Sequence, residues 1–179
     1  MSDKLSTLKR LGATGVPLLI ARLIVGGLFI YMGIMKVAGT VAFLKLIKLY
    51  HVLPLQPPIF INATAITLPW VEIVCGVALV TGVFRRGAAV IITGMLLVFT
   101  PAILIRAIDL YAGGTGEFPT FCDVAFDCGC GGGAINSCRK LAENSGLLLL
   151  AVFAIFSSSR RFCLAKPRAR DPVPVGQGG

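Results

Sequence analysis

The stretch VPLLIARLIVGGLFIYMGIMKV, Val16 to Val37, decides the fold. A helical bilayer crossing takes about 20 mostly apolar residues. Here the only charges are Arg22 and, at the far end, Lys36. Lys4, Lys9 and Arg10 precede it like the positive region of a signal peptide. The apolar run is too long for one, however, two cations interrupt it, and no small-residue cleavage site follows. It is expected to persist as a helix.

The rest of the chain agrees with that stretch. Of its 179 residues, 56% are hydrophobic and 14% charged, with a mean hydropathy of +0.87. Soluble domains carry about a quarter charged residues. Disorder, a nucleic-acid-binding domain and an ordinary cytosolic enzyme are excluded, which leaves an integral membrane protein in contact with the lipid bilayer and with no nucleic-acid partner. The net charge of +9 is then a matter of topology.

Three further segments read as crossings. Ala63 to Phe84 holds one charge, Glu72. Gly87 to Ile105 holds none and ends at Arg106. The uncharged run Asn144 to Ser159 is short, and reaches crossing length only if its helix starts near Asn136 or Ser137, either of which can cap it. The expected architecture is all-α: a four-transmembrane-helix bundle with helices at about 16–37, 63–84, 87–106 and 137–159. Together, 16–159 form one membrane domain between an N-terminal tail, 1–15, and a basic, flexible tail, 160–179. Basic residues concentrate in the N-tail, in an Arg85-Arg86 turn and in the C-tail, so the positive-inside rule puts both termini in the cytoplasm. Thr40 to Tyr50, with Lys45 and Lys48, reads as an amphipathic helix lying in the outer interface. The loop 109–136 is acid-rich and belongs outside, in the periplasm or cell exterior if the membrane is a bacterial inner membrane.

Four of the six cysteines, Cys122, Cys128, Cys130 and Cys138, lie in or directly after that loop, within the acid-bearing stretch Asp109 to Glu143. An oxidising compartment favours disulfides. Cys128-Gly129-Cys130 closes a small, strained ring when oxidised, and strained, exposed disulfides are the labile ones. The cluster therefore reads first as a redox-active pair. Structural disulfides are the near rival; four cysteines allow three connectivities, one of them pairing Cys122 with Cys138. A zinc site fits poorly, because C-x-C is not the usual knuckle spacing. Cys75, inside the second segment, and Cys163, beyond the fourth, read as inert. His51 reads as interfacial.

Charges inside the membrane carry the second signal. Each costs at least roughly 2.5–3.5 kcal/mol at mid-membrane, so it turns inward and finds a partner. Arg22, Gly26, Phe29, Gly33 and Lys36 recur every three or four residues and share one face. Pro69, Glu72 and Gly76 share another. An Arg22–Glu72 pair is expected, acting either as a register device or as part of a polar pocket for a proton or a quinone headgroup. Lys36 and Arg106 lie toward the outer rim, as snorkelling anchors or as cations that activate the loop thiols.

These residues resemble a known family. Arg22-Leu-Ile-Val-Gly-Gly-Leu-Phe-Ile-Tyr-Met-Gly-Ile-Met-Lys36 is similar to the first helix of DoxX-like membrane proteins. His51-Val-Leu-Pro54, with Leu68-Pro-Trp-Val-Glu-Ile-Val-Cys-Gly76, resembles the second-helix signature of the MauE branch, the methylamine utilisation proteins. Cys128-Gly-Cys130-Gly resembles that branch's Cys-Gly-Cys. The likeness spans about Leu18 to Ile155; Gly131 replaces a phenylalanine common there, and Cys122 and Cys138 are additional. It implies a four-helix membrane fold and a part in thiol–disulfide handling, such as maturation of an exported cysteine-containing protein or exchange with a thioredoxin-like protein, coupled in DoxX-like relatives to membrane quinone. By that likeness Cys128 and Cys130 are the redox pair and Arg22 and Glu72 the bundle's polar core; Cys122 and Cys138, extra to the pattern, make a second or structural pair, and the placement of Lys36 and Arg106 adds them to Arg22 and Glu72 as a polar core or quinone site. A non-enzymatic assembly factor with structural disulfides, or a small carrier using Arg22 and Glu72, are the alternative expectations.

Overall fold

A computed structural model describes residues 15–50, 57–113, 119–127 and 133–157. Their architecture is mostly helical: α1 (Val16–Ala38), α2 (Thr40–Leu49), α3 (Ile59–Thr81), α4 (Arg85–Ala112) and α5 (Ser137–Phe156), with a 3-10 turn at Phe121–Asp123 and a two-stranded hairpin between α4 and α5. Three helices, α1, α3 and α4, are long and apolar enough to cross a membrane.

The burial pattern is that of a protein whose solvent is lipid. Leu23, Ile34, Ile66, Trp70, Val74, Val90, Leu97 and Ile105 all face outward. Arg22, Lys36, Glu72, Arg85, Lys140 and Asn144 are buried. Charged residues are almost never inside a soluble protein unless paired; in a bilayer, turning inward is the less costly choice.

Glycine sets how closely α1 and α3 approach. A Cβ added at Gly26 meets the Gly76 carbonyl at 2.8 Å, and one added at Gly76 meets the Gly26 carbonyl at 2.7 Å. Gly33 faces the Pro69 carbonyl in the same way, at 2.8 Å. Small residues let backbones touch where lipid offers no hydrophobic drive for association. These contacts also fix the register of the antiparallel pair.

Several boundaries differ from the sequence expectation. The helix expected at 63–84 runs from Ile59 to Thr81. It stops because Gly82 adopts a left-handed conformation (φ 79°), which glycine tolerates without cost. Arg85 and Arg86 therefore do not make the turn; Gly82 to Phe84 do, and the arginines open α4. Arg85 folds inward and donates to the Ser157 carbonyl at 2.9 Å, where a cation meets the orphan carbonyls ending α5. The helix expected at 87–106 continues through Pro101 to Ala112, so the outer loop is shorter than 109–136.

The amphipathic helix after α1 spans Thr40–Leu49. Phe43 is buried against the bundle, while Lys45 and Lys48 are exposed. Beyond α4 the fold is not purely helical. Ala125–Asp127 (β1) pairs antiparallel with Ala134–Asn136 (β2). Ser137 joins this hairpin to α5: its N–H and hydroxyl both donate to the Val124 carbonyl, at 2.9 and 2.7 Å. Neither Asn136 nor Ser137 gives a side-chain cap to α5, because the serine hydroxyl is used on the hairpin instead. On α5, Ser137, Lys140, Asn144, Leu147, Ala151 and Ala154 form one buried stripe. The tails 1–14 and 158–179, His51 and Cys163 lie outside the described residues.

Candidate functional site

Glu72, near the middle of α3, is 1% exposed. Its Oε1 accepts a hydrogen bond from Lys36 Nζ, in an ion pair buried on both sides. This corrects the expected Arg22–Glu72 pair. Arg22 instead donates from Nε to the Leu79 carbonyl at 2.8 Å and from a terminal nitrogen to the Val80 carbonyl at 2.9 Å. Both carbonyls belong to the last turn of α3, where backbone acceptors lack helical partners and the helix dipole is negative.

Side-chain direction explains the exchange of partners. Gly26 faces Gly76 and Gly33 faces Pro69, which sets Glu72 about level with residue 30. Lys36 lies about 9 Å from that level toward the C-terminal end of α1 and Arg22 about 12 Å toward its N-terminal end, at 1.5 Å per residue. Helical side chains lean toward their own N-terminus. Lys36 therefore leans down α1 toward Glu72, and Glu72 leans along α3 toward Lys36. Arg22 leans the opposite way.

The pair borders a cavity of about 190 Å³. Phe29 and Met32 of α1, Phe43 and Leu46 of α2, Leu96, Phe99 and Ile103 of α4, and Asn144 of α5 line it, with Tyr50 and Thr64. The Lys36 ammonium lies 5.2 Å from the Phe43 ring centroid and 5.4 Å from that of Phe99, within cation–π range. Lys36 is thus neither snorkelling nor at the rim; it is 5% exposed. Glu72 Oε2 is buried and has no hydrogen-bond partner among the described residues. A second hollow of about 320 Å³ shares Tyr50, Val98 and Ala102 with the cavity and continues past Pro101 and Ile105 to Arg106 and Asp109. Of the four expected core residues, Lys36 and Glu72 come together, Arg106 borders the adjoining hollow, and Arg22 lines neither.

Sequence reading missed Asn144, Phe43 and Phe99. A signal for Asn144 existed: it is the polar member of a three-and-four spaced stripe running down α5. For Phe99 there was none, because an aromatic in an apolar helix has no preferred face until its neighbours are placed; for Phe43 the amphipathic pattern marks a buried face but not what packs against it.

Outside the cavity, Cys122 and Cys138 form a disulfide, with their Cα atoms 5.0 Å apart. It ties the 3-10 turn to the first turn of α5. Tyr111 packs edge-on against Phe121 at 6.1 Å and anchors the same turn to α4. Cys128 and Cys130, the expected redox pair, lie outside the described residues, in the segment joining β1 to β2. Cys75 is a free, buried thiol in the helical core.

A family model described as methylamine utilisation protein MauE matches residues 14–116. That span includes α1 to α4 with Lys36, Glu72 and Arg106, and ends before the cysteine hairpin. No curated protein matches the chain, and no solved structure does.

Proposed function

The chain belongs to the MauE family of methylamine utilisation proteins, and from that premise we propose that it is a membrane thiol–disulfide redox protein that oxidises an exported, cysteine-containing partner. The observation that carries this reading is the Cys122–Cys138 disulfide. With those two sulfurs bonded to each other, Cys128 and Cys130 are left as the remaining cysteines of the outer loop, one glycine apart. The stapled hairpin gives their segment two fixed ends, Asp127 and Ala134.

The chemistry balances as a two-electron exchange. A partner thiolate attacks the Cys128–Cys130 disulfide and forms a mixed disulfide; a second partner thiolate displaces it. The partner gains one S–S bond, and Cys128 and Cys130 leave as two thiols. A membrane quinone accepts the two electrons and two protons that restore their disulfide.

The topology that suits this work has four crossings, both termini in the cytoplasm and the hairpin on the oxidising side of a bacterial inner membrane. The α5 helix supports it as the fourth crossing: its polar Lys140 and Asn144 face the bundle, while Leu149 and Phe153 face outward. Cys128→Ser and Cys130→Ser are expected to abolish partner oxidation in a membrane assay, and Cys130→Ser to accumulate a mixed disulfide that names the partner. Full activity in both variants would sink the proposal.

A second reading has its own support. The disulfide present joins the hairpin root to a helix start, which is a structural position. The protein would then be an assembly factor whose hairpin docks a partner. A stable co-purifying complex, with Cys128 and Cys130 indifferent to redox poise, distinguishes it.

A further inference from the structure

The fold leaves apolar space between two of its helices. The cavity of about 190 Å³ and the hollow of about 320 Å³ both lie between α2 and α4, with Leu46 and Leu49 on one side and Val98 and Ala102 on the other. An empty gap forfeits the dispersion contacts of its walls, and an apolar one does not hold water. Lys36, on the cavity wall, is already committed: its ammonium bonds Glu72 and lies against the Phe43 and Phe99 rings. What the space accepts is hydrocarbon. The hollow is bordered by Val98 and Ile105, both exposed where lipid is the solvent.

The polar end of the hollow says which hydrocarbon. The 28 residues of α4 extend about 42 Å at 1.5 Å per residue, whereas the hydrocarbon core of a bilayer is about 30 Å thick. The last turns of α4 therefore stand among lipid headgroups. Arg106 and Asp109 lie there, three residues apart, on the side of α4 that borders the hollow. A cation and an anion at that spacing can pair, yet neither takes part in an ion pair among the described residues. From Leu96, on the cavity wall, to Arg106 the helix runs about 15 Å, half the hydrocarbon thickness and so the depth of one leaflet. The order met along α4 is apolar wall, cation, anion. The complementary order, acyl chain, phosphate, ammonium, is that of a phosphatidylethanolamine.

We infer that the gap between α2 and α4 is a binding site for one phosphatidylethanolamine molecule. One acyl chain fills the hollow and ends against Phe43 and Phe99. The Arg106 guanidinium donates to the phosphate, and the Asp109 carboxylate accepts from the ammonium, which has three N–H groups to donate. A lipid seated there joins the interfacial helix α2 to α4, filling the space that side chains leave. The site is separate from the thiol chemistry of the outer loop and does not depend on it.

The test is lipid titration of the full-length protein in detergent, with bound lipid counted by native mass spectrometry. The probes are three dioleoyl lipids: phosphatidylethanolamine; phosphatidylcholine, whose quaternary ammonium has no N–H; and phosphatidylglycerol, which has no ammonium. One ethanolamine lipid per chain is expected, bound about tenfold more tightly than the choline lipid, the worth of one charge-assisted hydrogen bond. Asp109→Asn should erase that preference and leave choline-lipid affinity unchanged. Arg106→Gln should weaken all three lipids, and so should Ala102→Phe, which fills the passage between cavity and hollow. An intact Cys122–Cys138 disulfide and a monodisperse particle certify each variant as folded. Equal binding of the ethanolamine and choline lipids, tighter binding of the glycerol lipid than of the ethanolamine lipid, or affinities untouched in Arg106→Gln overturns the assignment. So does a dimer mass in lipid-free detergent that Ala102→Phe dissociates, because a second copy of the chain would then fill the gap.

Discussion

The membrane interior and the outer hairpin solve the same problem with opposite means. Inside, α1 and α3 hold each other by backbone contact at Gly26, Gly33 and Gly76 and by one buried ion pair, Lys36–Glu72. Outside, three-residue strands, one disulfide and two hydrogen bonds from Ser137 to the Val124 carbonyl hold a segment with little core of its own. The difference teaches that geometry in lipid comes from close packing and charge compensation, because no water competes for either. In water a short hairpin is marginal by itself, and a covalent link supplies what packing does not.

The sharpest way to break the interior is to remove one charge. Lys36→Met leaves Glu72 buried without its cation and is expected to cost about 3–5 kcal/mol, read as an earlier unfolding midpoint in denaturing detergent. Lys36→Met with Glu72→Gln should recover most of that loss; an additive double variant would show that the two side chains do not act as a pair. Cys122→Ser breaks the exterior. Opening a link that spans 16 positions should cost the hairpin about 3 kcal/mol, seen as faster proteolysis of the outer loop with the helical content unchanged. Gly76→Ala drives a methyl group into the Gly26 carbonyl and should cost about 1–3 kcal/mol, measurable in the same detergent titration. The smallest effect belongs to Ser137→Ala, about 0.5–1.5 kcal/mol, felt as faster hydrogen exchange where the hairpin meets α5.

Much of this contrast was legible in the sequence. Glu72 had to face inward, because a carboxylate surrounded by Val71, Ile73 and Val74 has no other tolerable orientation. The glycine face of α1 followed from its spacing. Less legible was the start of α5, whose polar residues hide an inward stripe from any average of hydropathy. Arg22 misled for a specific reason: the register of α1 against α3 leaves it about 12 Å from the level of Glu72, and its side chain points farther away, toward the carbonyls where α3 ends.

Sequence alone determined the class of solvent, the apolar helices and the face each must bury, since those depend on composition and on a helical period local to each segment. Tertiary structure decided the partners. Lys36 rather than Arg22 meets Glu72, Cys122 bonds Cys138, and five helices border a cavity beside the Lys36–Glu72 pair. Those outcomes depend on the sliding and rotation of one helix against the next. Glycine contacts and side-chain direction set both, and neither is a property of any single segment.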